Sequence, residues 1–214
     1  MIIILFGPQG SGKGTIGSML ESSLGIPLIG TGQLMREEIS KGTELGKETE
    51  KYMAQGELVP TDIVIEVLTK KLDLMRKGCI LDGFPRNEQQ MRAFGKYLSR
   101  QAKEIDNVFL LDLPESISVE RLSLRQVCSK CEKIYNVKTM PPKVTGICDK
   151  CGKALEKRHD ESEEAVKKRL DIFKKETLPV IHEFEKKGIL VKIDASRKPQ
   201  EILNDILKHY SLPQ

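Results

Sequence analysis

Residues 1–17 read MIIILFGPQGSGKGTIG, and the architecture can be worked outward from them. The opening MIIILF is an apolar, β-branched run, long enough for one strand and apolar enough to be covered on both faces. Residues 7–14 hold four glycines, Gly7, Gly10, Gly12 and Gly14. Without Cβ atoms such a backbone curls until successive N–H groups point inward and form an anion nest. Helical periodicity follows from Lys13 to Leu24, so the positive end of a helix dipole backs the nest. A strand, a glycine loop, Gly-Lys and a helix in this order make a phosphate cradle, with Lys13 as the mobile cation for β- and γ-phosphates. One detail departs from the general pattern: Gly14 follows Lys13 where a hydroxyl is expected, and the hydroxyl arrives one place later, at Thr15.

Further along, 27–29, 79–81, 108–113 and 189–193 are short apolar runs that read as buried strands. Helical periodicity covers 32–40, 44–54, 62–76, 88–100, 115–125, 162–186 and 199–210. Thr31, Asp62, Ser162 and Pro199 stand where a cap or a first-turn proline marks a helix start. Buried strands alternating with helices predict an α/β fold of three layers, a five-stranded parallel sheet between helices. Two stretches leave the pattern. Residues 31–58 hold two short helices joined by SKGTELG, and residues 126–158 combine four cysteines with Pro141, Pro142 and Gly146 and no long periodic stretch.

The chain has 214 residues, enough for one sizeable core with small insertions. A net charge of +4, 5% aromatic residues and no Trp offer neither a strongly basic surface nor a stacking platform for nucleic acid. The N-terminal apolar run is too short for a signal peptide or a membrane span and follows no basic region, so the expectation is a cytoplasmic protein.

Cys128-x-x-Cys131 and Cys148-x-x-Cys151 are separated by sixteen residues. This is the pattern of a four-thiolate zinc site, in which each x-x spacing turns both sulfurs toward one tetrahedral ion. Disulfides and vestigial thiols are the alternatives, the former disfavoured in a reducing compartment. Four protein ligands leave no open position, so such a zinc is structural. Residues 121–160 carry ten Lys/Arg against four Asp/Glu, a surplus suited to covering a triphosphate. Cys79, alone in an apolar run, reads as a small buried hydrophobe. His159 reads as an exposed hinge residue beside the cysteines.

A second nucleotide signal is CILDGFPRNEQQ, residues 79–90. Asp82 closes an apolar strand at its carboxyl end, where ligands bind in open α/β sheets, and a carboxylate there can orient water on Mg²⁺. Helix capping is its alternative role. Arg86 follows a turn forced by Gly83 and Pro85, and its planar fork suits phosphate oxygens.

GPQGSGKGT (7–15), TGQLMR (31–36), GELV (56–59), LDGFPR (81–86) and the cysteine insertion occur in this order. The chain resembles the adenylate kinases of the bacterial long-lid, zinc-bearing type over essentially its whole length. In that family Gly-Lys-Gly-Thr is the ordinary loop, which accounts for Gly14. The resemblance implies a P-loop NTPase core of 1–30, 59–121 and 159–214, a helical NMP-binding domain at 31–58 and a zinc-bearing lid at 122–158. It implies ATP contacts from Gly10, Ser11, Gly12, Lys13, Gly14 and Thr15, and from Arg121, Arg125 and Tyr135. It implies an AMP site of Thr31, Arg36, Glu57, Leu58, Val59, Gly83, Arg86, Gln90, Arg158 and Arg169. Arg158 and Arg169 converge on the transferring phosphoryl group, and Asp160 is an acidic hinge residue. The implied catalytic set is Lys13, Asp82, Arg86, Arg125, Arg158 and Arg169. The implied cofactors are Mg²⁺, carried with ATP, and structural Zn²⁺; the partners are ATP, AMP and ADP, and the chain is a monomer.

Physical chemistry supports such a set. Phosphoryl transfer between nucleotides needs in-line phosphates, positive charge and exclusion of water, and AMP already offers an anionic nucleophile, so no base is required. The chain departs from the family at Gln9 (proline), Gln33 (aspartate), Leu124 (glycine), Gln126 (arginine) and Asn136 (histidine). A nucleoside monophosphate kinase with another acceptor, and a low-turnover nucleotide-binding regulator, are the rival readings.

Overall fold

The computed structural model describes residues 1–75, 77–131, 133–157 and 163–210. In chain order, β1 (Ile2–Phe6) passes through the glycine loop into α1 (Lys13–Leu24), and β2 (Leu28–Gly30) runs into α2 (Thr31–Ser40) and α3 (Glu44–Ala54). Then α4 (Thr61–Leu72) leads to β3 (Cys79–Asp82), α5 (Glu88–Arg100) to β4 (Asn107–Asp112), and α6 (Glu115–Ser123) to β5 (Arg125–Cys128), β6 (Ile134–Asn136) and β7 (Leu155–Glu156). The chain returns by α7 (Glu163–Ile172), a π-helical turn (Phe173–Thr177) and α8 (Leu178–Lys186) to β8 (Leu190–Asp194), and ends its described part with α9 (Pro199–Leu207) and a 3-10 turn (Lys208–Tyr210).

The main sheet is five-stranded with order β2-β3-β1-β4-β8, and all its pairings are parallel. β1 is buried along its whole length because alternate side chains enter two separate cores. Ile2, Ile4 and Phe6 pack with Leu68 of α4, Phe94 of α5 and Phe184 of α8. Ile3 and Leu5 pack with Ile16 and Leu20 of α1 and Ile202 and Ile206 of α9. The chain fills one side of β1 with β2 and β3 and the other with β4 and β8, so the crevice for a ligand opens beyond the carboxyl end of β1. The predicted three-layer α/β architecture is therefore present.

Several boundaries differ from the sequence expectation. α4 stops at Leu72 rather than 76, because the Leu74 and Met75 N–H groups turn to carbonyls three residues back, at 3.3 and 3.0 Å. α6 stops at Ser123, so Arg125 begins a strand instead of ending a helix. The single helix expected over 162–186 is two helices joined by the π-turn. Pro179 explains this: its ring would clash with the carbonyl four residues back in a regular helix. Widening the preceding turn, in which the Leu178 N–H reaches the Phe173 carbonyl, relieves the clash.

The two departures from the α/β pattern are separate small structures. α2 and α3 pack so closely that a Cβ on Gly46 would stand 2.2 Å from the Glu38 carbonyl oxygen, and the Thr43 hydroxyl caps α3 by accepting from the Gly46 N–H at 3.0 Å. The cysteine segment forms an antiparallel sheet of order β6-β5-β7. Among the described residues no helix is long and apolar enough to cross a membrane.

Candidate active site

The glycine loop supplies the floor. Gly10 and Gly12 take left-handed conformations, φ 80° and 90°, and a Cβ on Gly10 would lie 2.9 Å from the Ser118 carbonyl oxygen. Gly12 is the N-cap of α1, whose first turn carries Lys13, Gly14 and Thr15. The Ser118 hydroxyl of α6 donates to the Gln9 carbonyl and ties loop to helix. Lys13 Nζ donates to the carbonyls of Gly7 and Pro8 at 2.7 and 2.9 Å. Burial pushes the Lys13 ammonium down to about 8, Arg86 and Arg125 push the same way, and Asp82 opposes them. The loop ammonium, two arginines and a carboxylate thus share one electrostatic neighbourhood. Asp82 Oδ2 lies 4.0 Å from where a Cβ would stand on either Gly14 or Gly30, between the glycine loop and α2.

Opposite the loop, Arg36 Nη1 and Arg86 Nη2 lie 3.4 and 3.7 Å from the position of a Cβ on Gly32. The Arg86 Nε donates to the Gly83 carbonyl at 2.9 Å. Gln90 is buried, its own N–H capped by Asn87 at 2.9 Å, and its Oε1 accepts from the Arg86 N–H at 2.8 Å. That bond assigns the amide: the oxygen faces the donor, and the –NH₂ is the group left for a ligand. Thr31 is buried at the start of α2.

The α2–α3 excursion rests on α7. A Cβ on Gly56 would stand 3.0 Å from the Ala165 carbonyl oxygen, Lys168 pairs with Glu57 at 2.7 Å, and Arg169 Nη2 reaches the Met53 carbonyl at 3.5 Å. On the other side Ile134 Cδ1 of the cysteine segment comes within 3.8 Å of the Cβ position on Gly14. Arg121 donates to the carbonyls of Ala195, Ser196 and Gly10 at 3.0, 3.3 and 3.4 Å. Between these walls lies a cavity of about 1320 Å³, lined by Lys13, Arg36, Arg86, Arg121, Arg125 and Arg169 and reaching Leu58, Val59 and Gln90. It exceeds the roughly 300–1,000 Å³ of a pocket for one small molecule.

The cysteines predicted to bind metal come together, with their four sulfurs all within 4.8 Å of one another. The shortest separations are 3.3 Å for Cys128–Cys151, 3.5 Å for Cys131–Cys148 and 3.6 Å for Cys131–Cys151. Thiolates at about 2.3 Å from a tetrahedral zinc stand about 3.8 Å apart, so the donor set fits one ion. None of the four is in a disulfide, as a thiolate metal site requires. N–H groups of Cys131 and Lys130 aimed at the Cys128 sulfur favour its thiolate and lower its pKa.

Tyr135 lines the cleft and also packs into the cysteine segment. It is buried beside the cysteines, its hydroxyl accepting from the Asp149 N–H at 2.8 Å and lying 3.5 Å from Cys148 Sγ. Its hydroxyl thus faces the four cysteines. Arg158, His159 and Asp160 lie outside the described residues. Gln33 donates to Glu37 at 3.2 Å, and the Gln126 Oε1 is buried without a partner among the described residues.

Three functional contacts have little sequence signal. Ser118 pins the glycine loop. Asn136 donates to the Arg121 carbonyl at 3.1 Å and accepts from the N–H groups of Lys138 and Thr139 at 3.0 and 2.9 Å, rooting the lid sheet. Thr177 donates to the Arg86 carbonyl at 2.8 Å; the only hint of it is a polar residue next to Leu-Pro in an otherwise apolar helix face.

Comparison with known proteins shows the family. The family model described as Adenylate kinase matches residues 5–189. The adenylate kinase of Methanosarcina mazei is 43% identical over 208 residues, covering 96% of both chains. That of Thermodesulfovibrio yellowstonii is 42% identical over 208 residues, covering 96% of this chain and 97% of its own. That of Clostridium tetani is 37% identical over 208 residues, covering 96% of both. A match of this length, on a chain whose glycine loop faces two converging arginines across one cleft, means that the chain belongs to the adenylate kinase family.

Proposed function

We propose that the cleft seats Mg-ATP on the glycine loop and AMP between α2 and Arg86. The γ-phosphoryl group passes in line from one nucleotide to the other, giving two ADP, and the reaction runs equally in reverse. The observation that carries this reading is the convergence of Arg36 and Arg86 over Gly32, facing Lys13 across a single cavity. The AMP phosphate oxygen is the nucleophile and the γ–β bridging oxygen the leaving group. Lys13 follows the charge as it moves to the β-phosphate, while Arg86, Arg125 and Arg169 neutralise the equatorial oxygens. Magnesium carried by ATP would add further neutralisation of the phosphates, and Asp82 would hold one of its waters.

Acceptor choice follows from Gln90. Its available –NH₂ donates, which pairs with the bare N1 of adenine and meets a second donor on the N1–H of guanine. Thr31 and the backbone of Glu57, Leu58 and Val59 complete that wall. Residues 31–58 and 122–158 act as the closing parts over a core of 1–30, 59–121 and 159–214, excluding the water that would otherwise accept the phosphoryl group. The four thiolates hold a structural zinc. The reading is of a monomeric cytoplasmic enzyme.

ADP formation from ATP with each of AMP, GMP, UMP and CMP tests the assignment. AMP should be favoured by roughly 10²-fold or more in kcat/KM. A preferred pyrimidine acceptor, or ATP binding without ADP formation, would overturn it.

The lowered Lys13 pKa gives a pH prediction. ATP binds the charged ammonium, so kcat/KM for ATP should fall about tenfold per pH unit above about 8. Stability moves the other way. Between about 8 and the ordinary lysine value the unfolded chain holds the proton that the folded one has lost, so Lys13 favours folding increasingly as pH rises through that window. A pH–rate profile flat to the ordinary lysine range would contradict the assignment of Lys13.

A further inference from the structure

We propose that Thr177, presented by the π-turn Phe173–Thr177, is a positioning residue that fixes Arg86 for the acceptor phosphate. The inference rests on the reading above, in which Arg86 grips AMP. Among the described residues three hydrogen bonds tether Arg86. Its N–H donates to Gln90 Oε1 at 2.8 Å, its Nε to the Gly83 carbonyl at 2.9 Å, and its carbonyl accepts from the Thr177 hydroxyl at 2.8 Å. The first two come from within four residues of Arg86; the third crosses from a segment 91 residues away. The α5 ladder begins one residue later, with the Met91 N–H on the Asn87 carbonyl, so the Arg86 carbonyl lies outside it. Thr177 is buried at 4% exposure, where an unpaired carbonyl would be costly.

The π-turn makes this contact possible. Arg169, Phe173 and Thr177 all line the cleft. In a regular α-helix eight residues overshoot two full turns by about 80°. One turn lengthened by about one residue absorbs that overshoot, so Arg169 and Thr177 share a face. The widened turn forced by Pro179 thus brings a phosphate-side arginine and the anchor of a second arginine to one wall. Loss of the hydroxyl frees the peptide plane after Arg86, and small displacements of a phosphate clamp are expensive in transfer geometry.

The test uses Thr177→Val, which keeps shape and removes the donor, Thr177→Ser, which keeps the donor, and Arg86→Ala. In Thr177→Val the KM for AMP should rise about three- to tenfold, the cost of one hydrogen bond, with the KM for ATP unchanged. Thr177→Ser should restore the AMP value. An unchanged AMP KM in Thr177→Val, an equal rise for both nucleotides, or a serine variant no better than valine would each overturn the proposal. If Arg86→Ala raises the AMP KM and Thr177→Val does not, only Thr177 loses its role. If Arg86→Ala leaves it unchanged, the assignment of Arg86 falls and this inference with it.

Discussion

Changing Lys13 to methionine should cut kcat/KM for ATP by about 10²–10³-fold, the loss seen when one preorganised donor to a developing charge is removed. The melting temperature should not fall with it. At neutral pH the Lys13 ammonium is held against burial and against the charges of Arg86 and Arg125, with Asp82 as the opposing influence. Its bonds to the Gly7 and Pro8 carbonyls satisfy it without ligand. Those carbonyls are what it must exchange for phosphate oxygens when ATP arrives. The group is therefore poor for folding and good for phosphate, the usual relation between stability and a prepared site. Methionine fills the stem's volume, removes the charge and leaves the loop glycines untouched. Steady-state kinetics beside a thermal melt separates the two effects. A variant retaining activity within tenfold would remove Lys13 from the transfer step. A large drop in melting temperature would show that its charge is structural.

What the sequence made legible was whatever is encoded locally. β1 and the glycine loop could be read because an apolar run, four glycines and a lysine fall within fourteen residues, and each has one dominant physical use. The four cysteines could be read because two x-x spacings suit one tetrahedral ion, and their sulfurs do cluster. The lid sheet was not readable: its strands are four, three and two residues long, too short to show a period. Periodicity alone carries the helix to Arg125 because α6 ends only two residues before it, at Ser123. The π-turn left a single trace, Pro179 inside a helical pattern, and a proline does not reveal which way a helix will relax. The contacts of the Thr177 and Tyr135 hydroxyls are not legible in the sequence for a common reason. Their partners, the Arg86 carbonyl and the Cys148 sulfur, are brought close by the fold, and residue type alone does not name a distant partner.

Removing the metal should lower the melting temperature by about 10 °C or more, through loss of several kcal/mol from the lid, while changing kcat at low temperature much less. The reason is the size of the lid's own core. Among the described residues only Cys128, Tyr135 and Cys148 form its buried cluster, with Cys131, Cys151 and Leu155 packed against them. Four of those six are the thiols themselves, so without an ion only Tyr135 and Leu155 remain of that described apolar cluster. Even Tyr135, the largest buried side chain there, directs its hydroxyl to the cluster. The sulfurs, by contrast, offer nothing to a phosphate, and four ligands leave no position for substrate. The lid reaches the glycine loop through Ile134 instead, at the end of β6 away from Asn136. Elemental analysis should find one zinc per chain, and Cys148→Ser should lose it and melt early. The core sheet, whose two apolar layers contain none of these cysteines, should keep its circular dichroism until a higher temperature. A chain purified without chelator that carries no metal, or a Cys148→Ser variant that melts with the parent, would overturn the assignment of a metal as the lid's staple.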